Sequence, residues 1–226
     1  MGVDLMSTPF AWSYSRLVNY ETCPKRHWHY DIAKDVGDFN VAQGEGHEAH
    51  KAFELRIAKN QPLPLPLVQH EPIMVKLAAM PGETYTELKL ALSREFKAVG
   101  FFDKNVWFRT VIDLCKVVRN LAVVLDYKTG RPKSDATQLA LMSATVMHYL
   151  PTIKRVRAGL LFVNHATAER AEFVRDSIPE IWNEVLPRVA KLQMAVETQE
   201  FPPKPNGLCK KWCHVTSCPY HGRGTT

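Results

Sequence analysis

The sequence predicts an α/β protein in which a mixed central β-sheet is flanked by helices, with a cysteine-rich clasp at the end of the chain. Apolar strand patterns and helical patterns follow the order helices, three strands, helix, strand, helix, which is typical of a mixed sheet covered by helices. The 226 residues are 46% hydrophobic and 10% aromatic, which is enough to pack one large domain. We therefore expect a single domain over residues 1–226, with a flexible extension at residues 1–12.

The first part of the chain is predicted to be helical. The pair Cys23-Pro24 divides residues 13–30 into two short helices, because proline does not continue a preceding helix. Apolar residues at helical spacing predict a helix over residues 42–59 with a mostly apolar face. That face consists of Ala49, Ala52, Phe53, Leu55 and Ile57. The run PLPLPL at 62–67 is a connector, and a short helix over 71–79 follows.

The strands are predicted in the second part of the chain. They are residues 84–93, 107–118, 121–129, 155–165 and 169–175. Arg119-Asn120 joins the second and third of these strands as a tight hairpin. Two helices complete the pattern, one over 135–150, capped by Ser134 or Asp135, and one over 177–198, which Pro187 is expected to bend.

Charge and hydropathy narrow the class of protein. The net charge of +6 and the pI of about 9.1 favour a polyanionic partner. No apolar run approaches the roughly 20 residues that a membrane-spanning helix needs. The N-terminal residues also lack the basic and apolar regions of a signal peptide. We therefore expect a cytoplasmic protein with reduced thiols and no membrane partner.

The five cysteines are better explained as metal ligands than as a disulfide framework. Cys115 lies in an apolar strand and is predicted to be a core residue. The other four are Cys23, Cys209, Cys213 and Cys218, and their thiolates can hold an iron–sulfur cluster or tetrahedral zinc. For zinc, His214 and His221 are competing ligands. Residues 201–226 are rich in proline, glycine and cysteine, so we expect this clasp to pack against the N-terminal helices.

The stretch AVVLDYKTGRPK, residues 122–133, carries an acid and a lysine on one face of a strand end. Alone, Asp126 and Lys128 would be interpreted as a surface ion pair. Asp113 interrupts the preceding strand, however, and the two carboxylates can converge at one edge of the sheet to bind a hard divalent cation. Lys128 would then orient or deprotonate a water. Glu87 and Lys89 repeat the pattern without an upstream aspartate, so they are predicted to form an exposed strand face, with Glu87 also able to touch substrate or metal.

Asp113 followed by Asp126-Tyr127-Lys128 resembles the core motif of the PD-(D/E)XK nuclease superfamily. The form DYKTG is similar to its RecB-like group, which includes CRISPR-adaptation nucleases and phage exonucleases. GHEAHKAFE at 46–54 resembles the helical motif of that group, with His50 as metal ligand and Glu54 as a partner that orients His50 or a lysine. Gln138 resembles the glutamine motif, although Met142 stands where the group usually has tyrosine. The cysteines at both ends also resemble the group, but the spacing C-x-x-x-C-x-x-x-x-C departs from its usual C-x-x-C-x-x-x-x-x-C.

The resemblance implies a restriction-endonuclease-like core and a deoxyribonuclease that uses Mg²⁺ or Mn²⁺. His50, Asp113, Asp126 and the Tyr127 carbonyl would hold the metal, Lys128 would activate water, and Gln138 would steady Lys128 or the scissile phosphate. The four terminal cysteines would bind a structural [4Fe–4S] cluster, with zinc as the alternative.

The implied substrate is single-stranded or free-ended DNA, degraded by an exonuclease. The alternative function is a DNA-end-binding component of a recombination or CRISPR-adaptation complex, with little cleavage of its own. Basic and aromatic residues are predicted to contact the DNA backbone and bases. They lie at 24–30, Arg131, Lys133, 204–212 and Arg223.

Overall fold

The computed structural model describes residues 10–36 and 41–223, so the first nine residues of the expected N-terminal extension lie outside the described residues. The α-helices are α1 (Tyr14–Thr22), α2 (Pro24–His27), α3 (Val41–Lys59), α4 (Glu71–Ala78), α5 (Ala136–Tyr149) and α6 (Ile178–Thr198). Trp28–Ala33 form a π-helix, and short 3₁₀ turns are Leu65–His70, Val163–His165, Arg175–Ser177 and Gly207–Lys210. In the described part of the chain, no helix is both long and apolar enough to cross a membrane.

The strands are β1 (Trp12–Ser13), β2 (Glu83–Leu92), β3 (Ala98–Val99), β4 (Phe108–Val118), β5 (Leu121–Lys128), β6 (Arg155–Phe162) and β7 (Thr167–Val174). Their order, together with the helices, confirms the predicted mixed α/β fold. Most predicted element ends agree within one or two residues, but the strand expected over 155–165 ends at Phe162 in a 3₁₀ turn. Pro187 lies inside α6, which continues to Thr198.

The chain divides into two compact units. The first contains residues 1–39 and 184–226, and the second contains residues 40–183. In the first unit, Ser13 caps α1 by accepting a hydrogen bond from the backbone N–H of Arg16. Cys23 ends α1 and is followed by Pro24 in the first turn of α2, where a missing N–H costs nothing.

Several bonds within the first unit join the cysteine-rich segment and α6 to the end of α1. Arg188 donates from Nε and Nη2 to the two carboxylate oxygens of Glu21, both at 2.7 Å, which is the strong bidentate geometry. Lys204 Nζ donates to the Glu21 carbonyl at 2.7 Å, and Asn206 Nδ2 donates to the Thr22 carbonyl at 3.0 Å. These bonds satisfy carbonyl groups at the C-terminal end of α1 that the helix itself leaves unpaired.

In the second unit, six strands are ordered β3-β2-β4-β5-β6-β7 within one sheet. β5 and β6 are parallel, with Leu121 opposite Arg155 and Lys128 opposite Phe162, whereas the other neighbours in this order are antiparallel. The parallel pair requires a crossover connection, which α5 supplies. Asp135 caps α5 by accepting a hydrogen bond from the backbone N–H of Gln138, so the helix begins soon after the end of β5.

Two apolar clusters cover opposite faces of this sheet. One cluster packs α5 against the sheet through Leu139 and Met142, together with Val124 of β5. The other packs Phe53 of α3 against Tyr127 of β5. Because strand side chains alternate, residues 124 and 126 of β5 face α5, whereas residue 127 faces α3.

Candidate functional site

The hydrogen-bonded ladder between β4 and β5 stops at the pair Leu114 and Leu125. The next residues are Asp113 on β4 and Asp126 on β5, so both acids lie where the two strands separate. The backbone N–H of Tyr127, which has left the ladder, donates instead to Asp113 Oδ2 at 2.5 Å. Asp113 is 7% exposed and Asp126 is 8% exposed. The sheet therefore buries two carboxylates at the same opening between its strands.

Glu87 of β2 faces the same opening from the other side of β4. The paired residues on either side of it are Thr86 with Leu114 and Leu88 with Ile112. This register puts Glu87 opposite Asp113. Glu87 has a φ of 48°, in the left-handed region that a residue with a side chain rarely adopts. The alternation of β2 side chains between the two faces of the sheet is interrupted at Glu87. Tyr85 and Leu88 are three residues apart, yet both contact the apolar cluster beneath α5.

His50 reaches the opening from α3. The helix is fixed by Ala49 and Phe53, which are 2% and 0% exposed, so His50 projects beside the buried face. Its Nδ1 lies 3.0 Å from Asp113 Oδ1, and its ring stands edge-on to Tyr127 with centroids 5.9 Å apart. Ligand atoms of His50, Glu87 and Asp113 all lie within 4.8 Å of one another. One imidazole and two carboxylates can hold a divalent cation at this position.

Asp126 is held on the opposite face by α5 and by its own strand. Gln138 Nε2 donates to Asp126 Oδ1 at 2.8 Å. Lys128 Nζ lies 2.8 Å from Asp126 Oδ2. The Lys128 side chain is 35% exposed, whereas that of Asp126 is only 12% exposed. The lysine therefore contacts both solvent and a nearly buried carboxylate.

The site concentrates negative charge, and the pKa values of its acids respond accordingly. Burial raises the pKa of Asp126; Lys128 opposes this shift and the Asp113 charge adds to it. Burial also raises the pKa of Glu87, and Asp113 adds to that shift. For His50, burial acts to lower the pKa, but the hydrogen bond to Asp113 and the surrounding carboxylates outweigh it, so the pKa is raised. Asp126, Glu87 and His50 therefore bind protons more readily than usual, and a bound cation would take the place of those protons in reducing the repulsion between the carboxylates.

The residues predicted from the sequence come together in the second unit, but not all in the expected contacts. Gln138 bonds to Asp126, where a contact with Lys128 or with substrate was expected. Asp126 is not a member of the 4.8 Å group. Glu54, expected to orient His50 or a lysine, does pair with a lysine, Lys51, at 2.7 Å. Met142, at the position of the usual tyrosine, is buried in the core.

Glu87 is the residue that the sequence interpretation undervalued. It was predicted to lie on an exposed strand face, yet it is half-buried beside His50 and Asp113. The sequence feature that could have indicated a role for Glu87 is its acid-x-lysine pattern with Lys89, which has the same form as that of Asp126 and Lys128.

A second candidate site lies within the first unit. Cys23, Cys209, Cys213 and Cys218 all line one small cavity, together with Arg26 and Tyr220 among others. None of the described cysteines is in a disulfide. Backbone N–H groups donate to two of the sulfurs, from Lys204 to Cys23 Sγ at 3.3 Å and from Asn206 to Cys209 Sγ at 3.4 Å. Such donors stabilise thiolates.

The mixed sheet, the histidine–carboxylate group and the strand-end lysine together indicate a protein of the nuclease class. The family model described as the PD-(D/E)XK nuclease superfamily matches residues 11–223. The chain therefore belongs to the PD-(D/E)XK nuclease superfamily. A search of curated protein sequences gave no significant match.

Two solved structures are similar to the chain at low sequence identity. A protein from Eubacterium rectale, described as a "Putative exonuclease", is 11% identical, with a TM-score of 0.53 over 95% of this chain and 94% of the other. The crystal structure of SSO0001 is 14% identical, with a TM-score of 0.44 over 95% of this chain and 88% of the other. At these identities, the Eubacterium rectale match supports the fold alone.

Proposed function

We propose that the protein is a metal-dependent deoxyribonuclease that degrades single-stranded or free-ended DNA as an exonuclease. The observation that carries the proposal is the convergence of His50, Asp113, Asp126 and Lys128 at the opening between β4 and β5. A surface ion pair would need only Asp126 and Lys128. The buried Asp113 carboxylate and the imidazole beside it add ligands that a structural ion pair does not require.

The donor set fits Mg²⁺ or Mn²⁺. Carboxylate oxygens suit both ions, and the imidazole nitrogen is better accepted by Mn²⁺ than by Mg²⁺. His50, Asp113, Asp126 and the Tyr127 carbonyl are the proposed ligands. When bound, the cation would polarise the scissile phosphate and lower the pKa of a water.

The chain's own groups would then act on that water and on the phosphate. Lys128 is the proposed activator, because its ammonium is partly exposed while it remains 2.8 Å from Asp126 Oδ2. A lysine there offsets the charge that develops on the phosphate oxygens. Gln138 would fix the orientation of Asp126 through its 2.8 Å bond to Oδ1, so that the second oxygen stays directed toward Lys128.

The DNA substrate is supported by the net charge of +6 and by family membership. Family membership supports nuclease action, and the description of the Eubacterium rectale protein as a "Putative exonuclease" supports action as an exonuclease.

The test is cleavage of single strands labelled at the 5′ or the 3′ end, with Mg²⁺ or Mn²⁺ and with EDTA as control. Wild-type protein should produce metal-dependent mononucleotides or short products from one labelled end. Lys128→Ala should lower the rate by about 10²–10⁴-fold, the usual contribution of a group that transfers a proton. Lys154, an exposed lysine of the same unit, gives the matched control Lys154→Ala.

The alternative is a DNA-end-binding component with little cleavage. Retention of DNA in a gel shift separates the two functions, because Asp126→Ala and Lys128→Ala should bind DNA without degrading it. If wild-type protein binds DNA ends but cleaves none of them with either metal, the nuclease proposal is wrong and the binding function remains.

We also propose that Cys23, Cys209, Cys213 and Cys218 hold a structural [4Fe–4S] cluster. All four line one cavity, and two of the sulfurs accept backbone N–H bonds. In the described residues, no three of the cysteine sulfurs fall within 4.8 Å of one another. Tetrahedral zinc would bring its sulfurs to about 3.8 Å from one another. A four-iron cluster is larger and separates its thiolates further.

Iron and acid-labile sulfide analysis of protein purified without oxygen tests this cofactor. We expect a brown protein with visible charge-transfer absorption, and iron that is lost in Cys213→Ala. If the protein contains stoichiometric zinc and no iron, the four cysteines form a zinc site and the cluster assignment is wrong. If it contains neither metal, the cysteines are free thiols and the cluster assignment is also wrong.

A further inference from the structure

Glu87 is held beside the proposed metal ligands although no motif assigns it a role. We propose that Glu87 is a further protein ligand of the catalytic cation, beside His50 and Asp113. This inference rests on the proposed function, because it concerns the same metal centre. It changes the expected ligand set from one that comes from α3, β4 and β5 to one that includes β2.

Distance is the first argument. One ligand atom from each of Glu87, His50 and Asp113 lies within 4.8 Å of the other two, so a single cation can contact all three after small side-chain movements. Asp126 is not a member of this group. The Glu87 carboxylate is therefore better placed to share a cation with His50 and Asp113 than the Asp126 carboxylate, which the sequence motif assigns as a ligand.

The lack of another partner is the second argument. Among the described residues, none forms a hydrogen bond or an ion pair with the Glu87 carboxylate; the charges that act on it are the carboxylates of Asp113 and Glu54 and the cations of His50 and Lys89. Two half-buried or buried carboxylates at this separation repel each other unless a cation lies between them. A divalent cation provides that compensation, because both carboxylates and the imidazole become its ligands.

The backbone is consistent with this role. Seven non-glycine residues with positive φ are found in the described part of the chain, and six of them lie in turns or at the ends of helices. Glu87 is the remaining one, and it lies inside a strand. Residues held in sparsely populated conformations cluster at functional sites. Here the left-handed residue redirects one side chain of β2 toward His50 and Asp113.

Metal affinity tests the proposal directly. Mn²⁺ binding would be measured by calorimetry and by the loss of the free-ion signal in electron paramagnetic resonance, without DNA. Replacement of residues that only orient metal ligands lowers affinity about 10–100-fold, so Glu87→Gln should weaken Mn²⁺ binding at least tenfold. Glu83→Gln is the matched control, because Glu83 is an exposed glutamate of the same strand.

Two more variants keep the result interpretable. Glu87→Gly accepts the left-handed backbone and removes the carboxylate, so it should fold, unfold at a higher temperature than Glu87→Gln without metal, and still bind Mn²⁺ weakly. Lys128→Ala keeps every proposed metal ligand, so it should still bind Mn²⁺ while losing cleavage.

The outcomes separate this inference from the proposed function. If wild type binds Mn²⁺ and cleaves DNA while Glu87→Gln and Glu87→Gly bind Mn²⁺ equally well, Glu87 is not a ligand and the nuclease proposal stands. An equal loss of affinity in Glu83→Gln would also overturn the assignment. If wild type binds no divalent cation, the metal centre itself and the role of Glu87 are both wrong.

Discussion

Asp113 Oδ2 accepts the backbone N–H of Tyr127 at 2.5 Å, at the point where β4 and β5 stop pairing. The carboxylate replaces the strand partner that Tyr127 would otherwise have. Its other oxygen lies 3.0 Å from His50 Nδ1. One side chain therefore supports the fold with one oxygen and faces the candidate metal centre with the other.

These two roles of Asp113 can be separated by mutation. Asp113→Asn and Asp113→Ala both remove the charge, but asparagine retains an oxygen that can accept the Tyr127 N–H. Leaving that buried N–H without a partner costs about 1–3 kcal/mol, so the alanine variant should be less stable than the asparagine variant by that amount. Urea unfolding with EDTA measures the difference, and both variants should lack metal-dependent cleavage. Equal stability of the two variants would mean that the bond to Tyr127 contributes nothing.

Gln138 is expected to act through Asp126. Gln138→Ala removes the donor to Asp126 Oδ1, which leaves the carboxylate free to rotate away from the orientation in which Oδ2 faces Lys128, and cleavage should fall about 10–100-fold. Gln138→Glu should lower it further, because a second carboxylate would face Asp126. Initial rates on end-labelled single-stranded DNA measure both effects. The control is Gln61→Ala, at an exposed position, and a rate for Gln138→Ala equal to that control would remove Gln138 from the site.

The sequence was sufficient to predict the main strands and α5, the helix that connects β5 to β6. β4 and β5 are long apolar runs separated by Arg119-Asn120, so their ends were predicted within one residue. α5 begins after Asp135, a residue type that caps helices well. Strand β3 was not predicted, because two residues are too few to produce a periodic pattern. The π-helix at Trp28–Ala33 was also unpredicted, since its hydrogen-bond pattern has no distinct side-chain period.

The candidate site was only partly predictable for a different reason. His50, Asp113, Asp126 and Lys128 stand at motif spacings, which local sequence reveals. The position of Glu87 depends on a φ of 48° within a strand, and a glutamate gives no local signal of that conformation as a glycine would. The bond from Gln138 to Asp126 depends on how α5 lies over β5, which is a tertiary relationship.

Metal binding should become weaker as the pH falls. The pKa of His50 is raised above its ordinary value of 6.5, because the bond to Asp113 and the nearby carboxylates outweigh the effect of burial. The pKa values of Asp126 and Glu87 are also raised, mainly by burial. Each of these groups thus binds protons more tightly in the folded, metal-free protein than in the unfolded chain. The stabilisation from His50 is fully present below pH 6.5 and is lost as the pH rises through its folded-state pKa.

A cation must displace those protons, so Mn²⁺ should raise the unfolding temperature more at about pH 8 than at about pH 6. Thermal unfolding with EDTA and with excess Mn²⁺ at the two pH values measures the difference. Calorimetry in buffers of different ionisation enthalpy should show net proton release at the lower pH. In His50→Gln, the Mn²⁺-induced rise in unfolding temperature should differ less between the two pH values than in wild type. If it differs by the same amount, His50 is not the source of the pH dependence.

Cys115 and the four cavity-lining cysteines should differ in reactivity. Burial raises the pKa of Cys115 to about 12, so its thiol stays neutral at neutral pH and is neither nucleophile nor metal ligand. Cys115→Ala should therefore leave the iron content unchanged, whereas Cys23→Ala or Cys213→Ala should lower it. After removal of iron by a chelator, iodoacetamide should label the partly exposed Cys209 and Cys218 in the folded protein and should label Cys115 only after unfolding in urea. Mass spectrometry of the labelled peptides distinguishes these cases. Loss of iron in Cys115→Ala comparable to that in Cys213→Ala would contradict the assignment of ligands, because Cys115 is fully buried in β4 and is not among the residues that line the cavity.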